Sequence, residues 1–188
     1  MANLTHADFG LEQNPFPGIE GPIEFGGLGN DDPLKFGFYR RDVQILGKLL
    51  KEHLPFAAAL WHFKNLLTDI FSGEGTCIAP WVKGLDPVED AKTWLKVFFY
   101  FMHLMGIEYW CFHDRDLVDM GDGGLREFHG RIDELKPTIL ELSQKTEIKV
   151  GWVTQNLFTS SIYVGGAATA AEFGIFAAAW TQTKAMLD

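Results

Sequence analysis

The chain has 188 residues, 47% of them hydrophobic and 14% aromatic, with 16 basic against 25 acidic side chains and two cysteines. That much apolar material suits one globular domain and excludes a disordered chain. The acidic balance and the lack of any Lys/Arg cluster exclude a phosphate backbone, so no nucleic acid is expected as a partner. Cys77 and Cys111 are too far apart in sequence for a metal-ligand pair and too few to staple a secreted scaffold, which points to a reducing compartment, cytoplasm or organelle.

The opening "MANLTHADFG" has neither an apolar signal core nor an Arg-rich transit pattern, and the longest apolar run, around Val97 to Met105, is interrupted by His103. No targeting segment and no transmembrane helix are expected. Residues 1–35, rich in Gly and Pro, predict an extended arm laid across a surface. The "GGLG" inside it lacks the strand-to-helix setting of a dinucleotide fingerprint.

From Phe36 the pattern changes, and residues 36–188 predict one β/α domain. "FAAALWHF" (Phe56 to Phe63) has the length of a strand. Asp86, Pro87 and Glu89 read as N-cap, first-turn proline and N3 carboxylate of a helix that runs to Met105 and stops at Gly106. "IEYWCF" (Ile107 to Phe112) predicts a second strand, buried on both faces because it does not alternate. The helical segment from about Gly124 should be kinked or divided at Pro137. "IKVGWVTQNLF" (Ile148 to Phe158) supplies a third strand with its core at Lys149 to Thr154, and Thr169 with Glu172 predicts a capping box for a closing helix. Strand and helix alternate three times, which predicts parallel strands, adjacent in order and joined by right-handed crossovers.

Chemistry in such an architecture collects at the C-terminal ends of the strands. There stand Trp61 and His62; then His113, Asp114 and Asp116; then Thr154, Asn156 and Phe158. A carboxylate three residues beyond a histidine can fix its tautomer for proton transfer, or can merely cap the strand end. Trp61, Trp152 and Phe158 can wall a sugar or fill the end of a barrel. Cys111 reads as a small core residue, and no metal-ligating cluster is visible in these residues.

"DPLKFGFY" (Asp32 to Tyr39), "LPFAAALWH" (Leu54 to His62), "DIF" (Asp69 to Phe71), "APW" (Ala79 to Trp81), "IEYWCFHDRD" (Ile107 to Asp116) and "WVTQNLF" with the following "GAAT" (Trp152 to Thr169) together resemble xylose isomerase in its N-terminally extended class. The resemblance runs through nearly the whole chain. It implies an α/β fold, a partial TIM-type barrel of three parallel strands with helices behind an extended N-terminal arm. The family is an aldose–ketose isomerase, usually tetrameric, that interconverts D-xylose and D-xylulose with two divalent metals, Mg, Mn or Co. By the same resemblance His113 matches the histidine that assists ring opening and Asp116 the carboxylate that orients it. Trp61, Trp152, Thr154 and Phe158 match the lining of the substrate pocket, and Phe71 the aromatic inserted into a neighbouring subunit's site.

The resemblance also implies that the family's metal ligands and catalytic lysine lie on strands beyond these three, so a cofactor is expected only where further strands complete the barrel. Several motif positions differ: Lys35 stands where alanine is usual, Ile78 and Ala79 replace an Asp-Arg pair, and Val153 and Gln155 replace Gly and Ala. The helix from Pro87 to Met105 carries Trp94, Tyr100 and Leu104 where charges are usual, which makes it apolar on nearly every side. These three residues, with the open barrel edges, are expected to face other protein chains, the competing possibility being internal repacking. Two functions follow as expectations: a non-catalytic structural or assembly subunit of a larger complex, or the N-terminal piece of an active isomerase completed by further sequence or a second chain.

Overall fold

The computed structural model describes residues 3–65, 79–84 and 86–187. In chain order they form β1 (Gln44–Ile45), β2 (Lys48–Leu49), α1 (Leu50–His53), β3 (Ala57–Ala59), α2 (Leu60–Asn65), α3 (Pro87–Met105), β4 (Tyr109–His113), α4 (Asp114–Leu117), α5 (Gly124–Thr146), β5 (Lys149–Thr154) and α6 (Phe173–Leu187). β1 and β2 make a small antiparallel hairpin, and β3, β4 and β5 make a parallel sheet in that order. The sheet is flanked by helices, so the described residues are a partial TIM-type barrel. None of their helices is long and apolar enough to cross a membrane.

α3 is the centre of the packing. Its ends obey local chemistry: the Asp86 carboxylate accepts from the amides of Val88 and Glu89, both at 2.9 Å, Pro87 opens the first turn, and Gly106 closes the helix at φ 68°. Toward the sheet, Phe98 and Phe99 meet Trp110, which stacks on Phe112 at 4.4 Å. α5 lines the same layer with Phe128, Ile132, Leu135 and Leu142, all buried. On the far side lies the N-terminal arm, which is more structured than its composition predicts. A short turn of helix at His6–Phe9 drops Phe9 onto Tyr100 at 5.3 Å, Phe16 follows at 6.0 Å, and the Ile23 amide donates to the Leu104 carbonyl at 2.7 Å.

Tyr100 and Leu104 are consequently 1% and 2% exposed, covered by the chain's own arm. Trp94 is half-buried, edge-on to Phe63 and Trp81. The expectation that Tyr100 and Leu104 await another chain is corrected for this reason: both are already buried within this chain, Tyr100 under Phe9 and Phe16 and Leu104 beside Ile23.

Other boundaries differ from the sequence expectation too. The first strand is only three residues long, because Leu60 and Phe63, at helical spacing, are both buried and draw residues 60–65 into α2. Pro137 does not divide α5. It sits on the exposed face, where the Asp133 carbonyl left without an amide partner can turn to water while the buried face stays packed. Thr169 does not cap α6, since residues 167–170 close a turn of their own and the helix starts at Phe173.

His103 lies in α3 under the Phe9 ring, 1% exposed, with no hydrogen-bond partner for Nε2. Burial pushes its imidazole below the ordinary value of 6.5. The unfolded chain therefore binds a proton there as pH falls through 6.5 while the folded chain resists it, so the stability is present above that pH and is lost below it. Urea unfolding should show a lower midpoint at about pH 5 than at about pH 7.5, and a His103→Phe variant should show a smaller difference.

Candidate functional site at the C-terminal edge of the sheet

β4 ends at His113, whose register partner on β5 is Thr154, so both stand on one edge of the sheet. The chain turns there directly into α4, and Asp116, three residues on, closes the turn. One oxygen of its carboxylate accepts the His113 amide at 2.6 Å and the His113 Nδ1 at 2.9 Å. A carboxylate can only accept, so Nδ1 carries a proton, and Nε2 is the ring nitrogen left to exchange one. The two sequence readings of Asp116 are thus one contact: the same oxygen caps α4 and orients the imidazole.

Aromatic rings surround that imidazole. Trp61, in the first turn of α2, lies 4.7 Å from it, Phe158 lies 5.5 Å away at 82°, Trp152 lies 6.2 Å away at 86°, and Trp61 and Trp152 are 5.5 Å from each other. The basket is open, with Trp152 47% and Phe158 68% exposed. Trp152 owes its position to an irregularity. Tyr109 and Trp110 pair with Lys149 and Val150, but Cys111 pairs with Trp152, leaving Gly151 as the extra residue of a bulge. Without that bulge the period of two would send Trp152 to the Phe112 side, among the helices.

Sequence reasoning missed Lys64 and Gln182 and named Asp114 only as a strand-end residue. Lys64 reaches from α2 to donate to the Asp116 carbonyl at 2.9 Å, and burial pushes its ammonium below the usual lysine range, an effect opposed by Asp116 and Asp119. Asp114 and Gln182, both 0% exposed, hydrogen-bond each other at 2.6 Å behind the basket. Gln182 stands in the polar run Thr181 to Lys184, and only its place three positions from the buried Ala179 sets it apart from its neighbours. His62 is exposed beside Trp61. Phe71 and Cys77 lie outside the described residues.

Such an arrangement can hold a ring with apolar faces against indole and phenyl surfaces and exchange a proton with one of its hydroxyls through Nε2. Among the described residues no three His, Cys, Asp or Glu side chains converge as a metal-ligand set. The Mg, Mn or Co pair implied by the family resemblance does not fit these residues, and no step runs through it here.

A parallel β/α sheet with its polar chemistry gathered at the C-terminal strand ends defines an α/β protein of the kind that includes the TIM barrels. Comparison with curated proteins narrows the class. The chain is 38% identical to a xylose isomerase of Caldicellulosiruptor bescii over 167 residues, and 38% identical to that of Phocaeicola vulgatus over 173. It is 37% identical to the xylose isomerase of Hordeum vulgare over 174 residues. These alignments take in 88%, 92% and 92% of this chain and 38%, 39% and 36% of the respective relatives. No family model matches. Along most of its length the chain is a relative of the xylose isomerases, and it spans little more than a third of the length of those it matches.

The bulge gives a direct test of how the basket is built. Removing Gly151 should restore an unbroken ladder with Trp152 still opposite Cys111, so the near-ultraviolet dichroism of the Trp61–Trp152 pair should persist, and its loss would show that the bulge itself places the indole. Gly151→Ala should preserve that signal, because its Cβ would meet the Trp110 carbonyl oxygen and the Tyr109 Cβ at an ordinary 3.5 Å.

Proposed function

We propose that this chain supplies the sugar-recognising, N-terminal part of a xylose isomerase-type barrel and is catalytically incomplete by itself. The observation that carries the reading is the His113–Asp116 pair inside the Trp61, Trp152 and Phe158 basket. In this reading the indoles and the phenyl ring pack on the apolar faces of an aldopentose, and Thr154 stands beside them at the strand end. Asp116 holds His113 so that Nε2 faces a sugar hydroxyl and can take or return its proton. The hydride shift itself needs charge stabilisation at the sugar oxygens, which a divalent metal pair held on further strands would supply.

A second reading, a structural subunit of a larger protein complex, is favoured by a different observation. Phe173, Phe176 and Trp180 fall on one face of α6, at 79%, 41% and 65% exposure, beside the unpaired edge of β5. Other protein chains would cover that surface, and the first reading also requires such a cover.

Titration of the 188-residue chain with D-xylose should give a saturable change in tryptophan fluorescence, at least about fivefold weaker in affinity for Trp61→Ala, a loss on the order of 1 kcal/mol. Xylulose should not form with added magnesium, manganese or cobalt. It should form on mixing with the later two-thirds of the Caldicellulosiruptor bescii relative, and should vanish again with His113→Asn. Turnover by the chain alone above a His113→Ala control would overturn the incompleteness. Absence of both saturation and complementation would leave the structural reading in its place.

A further inference from the structure

We propose that Gln182 is a positioning residue for the candidate site, acting as a latch through which α6 sets the place of Phe158 against His113. This rests on the basket being the sugar site. Asp114 follows His113 directly and is wholly buried, so each lone pair of its carboxylate must be met inside the protein. One oxygen accepts from the Arg115 amide and from the Asn156 amide, both at 2.8 Å, and so ties the end of β4 to the loop that leaves β5. The other accepts from Gln182 Nε2 at 2.6 Å.

Because a carboxylate can only accept, the amide orientation of Gln182 is forced, and its Oε1 is left to accept the Tyr163 hydroxyl at 3.0 Å. The same Nε2 also reaches the Asn156 carbonyl at 3.3 Å, so Gln182 grips Asn156 on one side while Asp114 grips it on the other. Asn156 passes the constraint on. Its side-chain oxygen accepts the amides of Phe158 at 3.3 Å and Thr159 at 3.0 Å, which sets the turn that stands the Phe158 ring at 82° to the imidazole. Phe158 is 68% exposed, so little packing holds it, and this hydrogen-bonded turn is what orients it.

Gln182 therefore acts on the basket through three bonded steps, without touching it. If the latch served stability alone, breaking it would lower the melting temperature and leave the basket unchanged in the molecules that remain folded. The test needs no sugar, so it is independent of whether the basket binds one. In the intact chain, the nuclear Overhauser contact between the rings of His113 and Phe158 is measured well below the unfolding transition. Gln182→Met should lose that contact, whereas Tyr163→Phe, which leaves the Asp114 bond in place, should keep it. A folded Gln182→Met protein with the contact intact would overturn the proposal. Should that variant not fold, Gln182→Glu provides the reading. The introduced carboxyl can donate to Asp114 when protonated and repels it when ionised, so the ring contact should be present at acid pH and absent at neutral pH. A ring contact that does not change with pH in that variant would likewise overturn the latch.

Discussion

From Val97 to Leu104 no side chain of α3 is exposed, and the rest of the structure is arranged around that fact. A helix apolar on every face is stable only when something lies on each face, and here the sheet, α5 and the N-terminal arm divide the work. Each large side chain so buried contributes roughly 1.5–3 kcal/mol, so Phe98, Phe99, Tyr100 and Met102 together outweigh any polar contact in the molecule. The arm can thus be rich in Gly and Pro and still be fixed, because Phe9 and Phe16 anchor it to rings that would otherwise meet water.

Rigidity in this layer is what makes the open edge usable. His113 sits at the end of a strand whose other residues, Trp110 to Phe112, are almost fully buried, so its backbone has little freedom. The polar end of the sheet is then organised by two carboxylates from one short segment. Asp116 faces the imidazole, and Asp114 faces backward into the protein. The opposite end of the strands carries a different arrangement, with Glu108 bridged by Arg41 and Lys51 above a cavity of about 790 Å³.

Features encoded within a few residues were legible in the sequence. Asp86, Pro87 and Gly106 mark both ends of α3, and the spacing of His113 and Asp116 gives their contact, because the physics of a cap is local. The three parallel strands and their order were legible as well, from the alternation and from the resemblance to the family. What escaped depends on distant partners. "FAAALWHF" has the composition of a strand, and only the burial of Leu60 and Phe63 against α3 and α4 turns its second half into helix. The bulge at Gly151 has no reliable local signature beyond the glycine itself. Gln182 lies 68 positions from Asp114, and one polar residue within the run Thr181 to Lys184 does not name its partner. The cover over Tyr100 was misassigned to other chains because an irregular arm has no period that declares which face it buries.

That cover has a consequence for how such a chain can change over generations. Position 100 of α3 and positions 9 and 16 of the arm form one lock, so neither side can drift alone. A charge returning at Tyr100 would strand itself beneath Phe9, and a shortened arm would leave an aromatic ring bare. The two segments are therefore expected to vary together among close relatives, and a chimera carrying the arm of a xylose isomerase would inherit the mismatch.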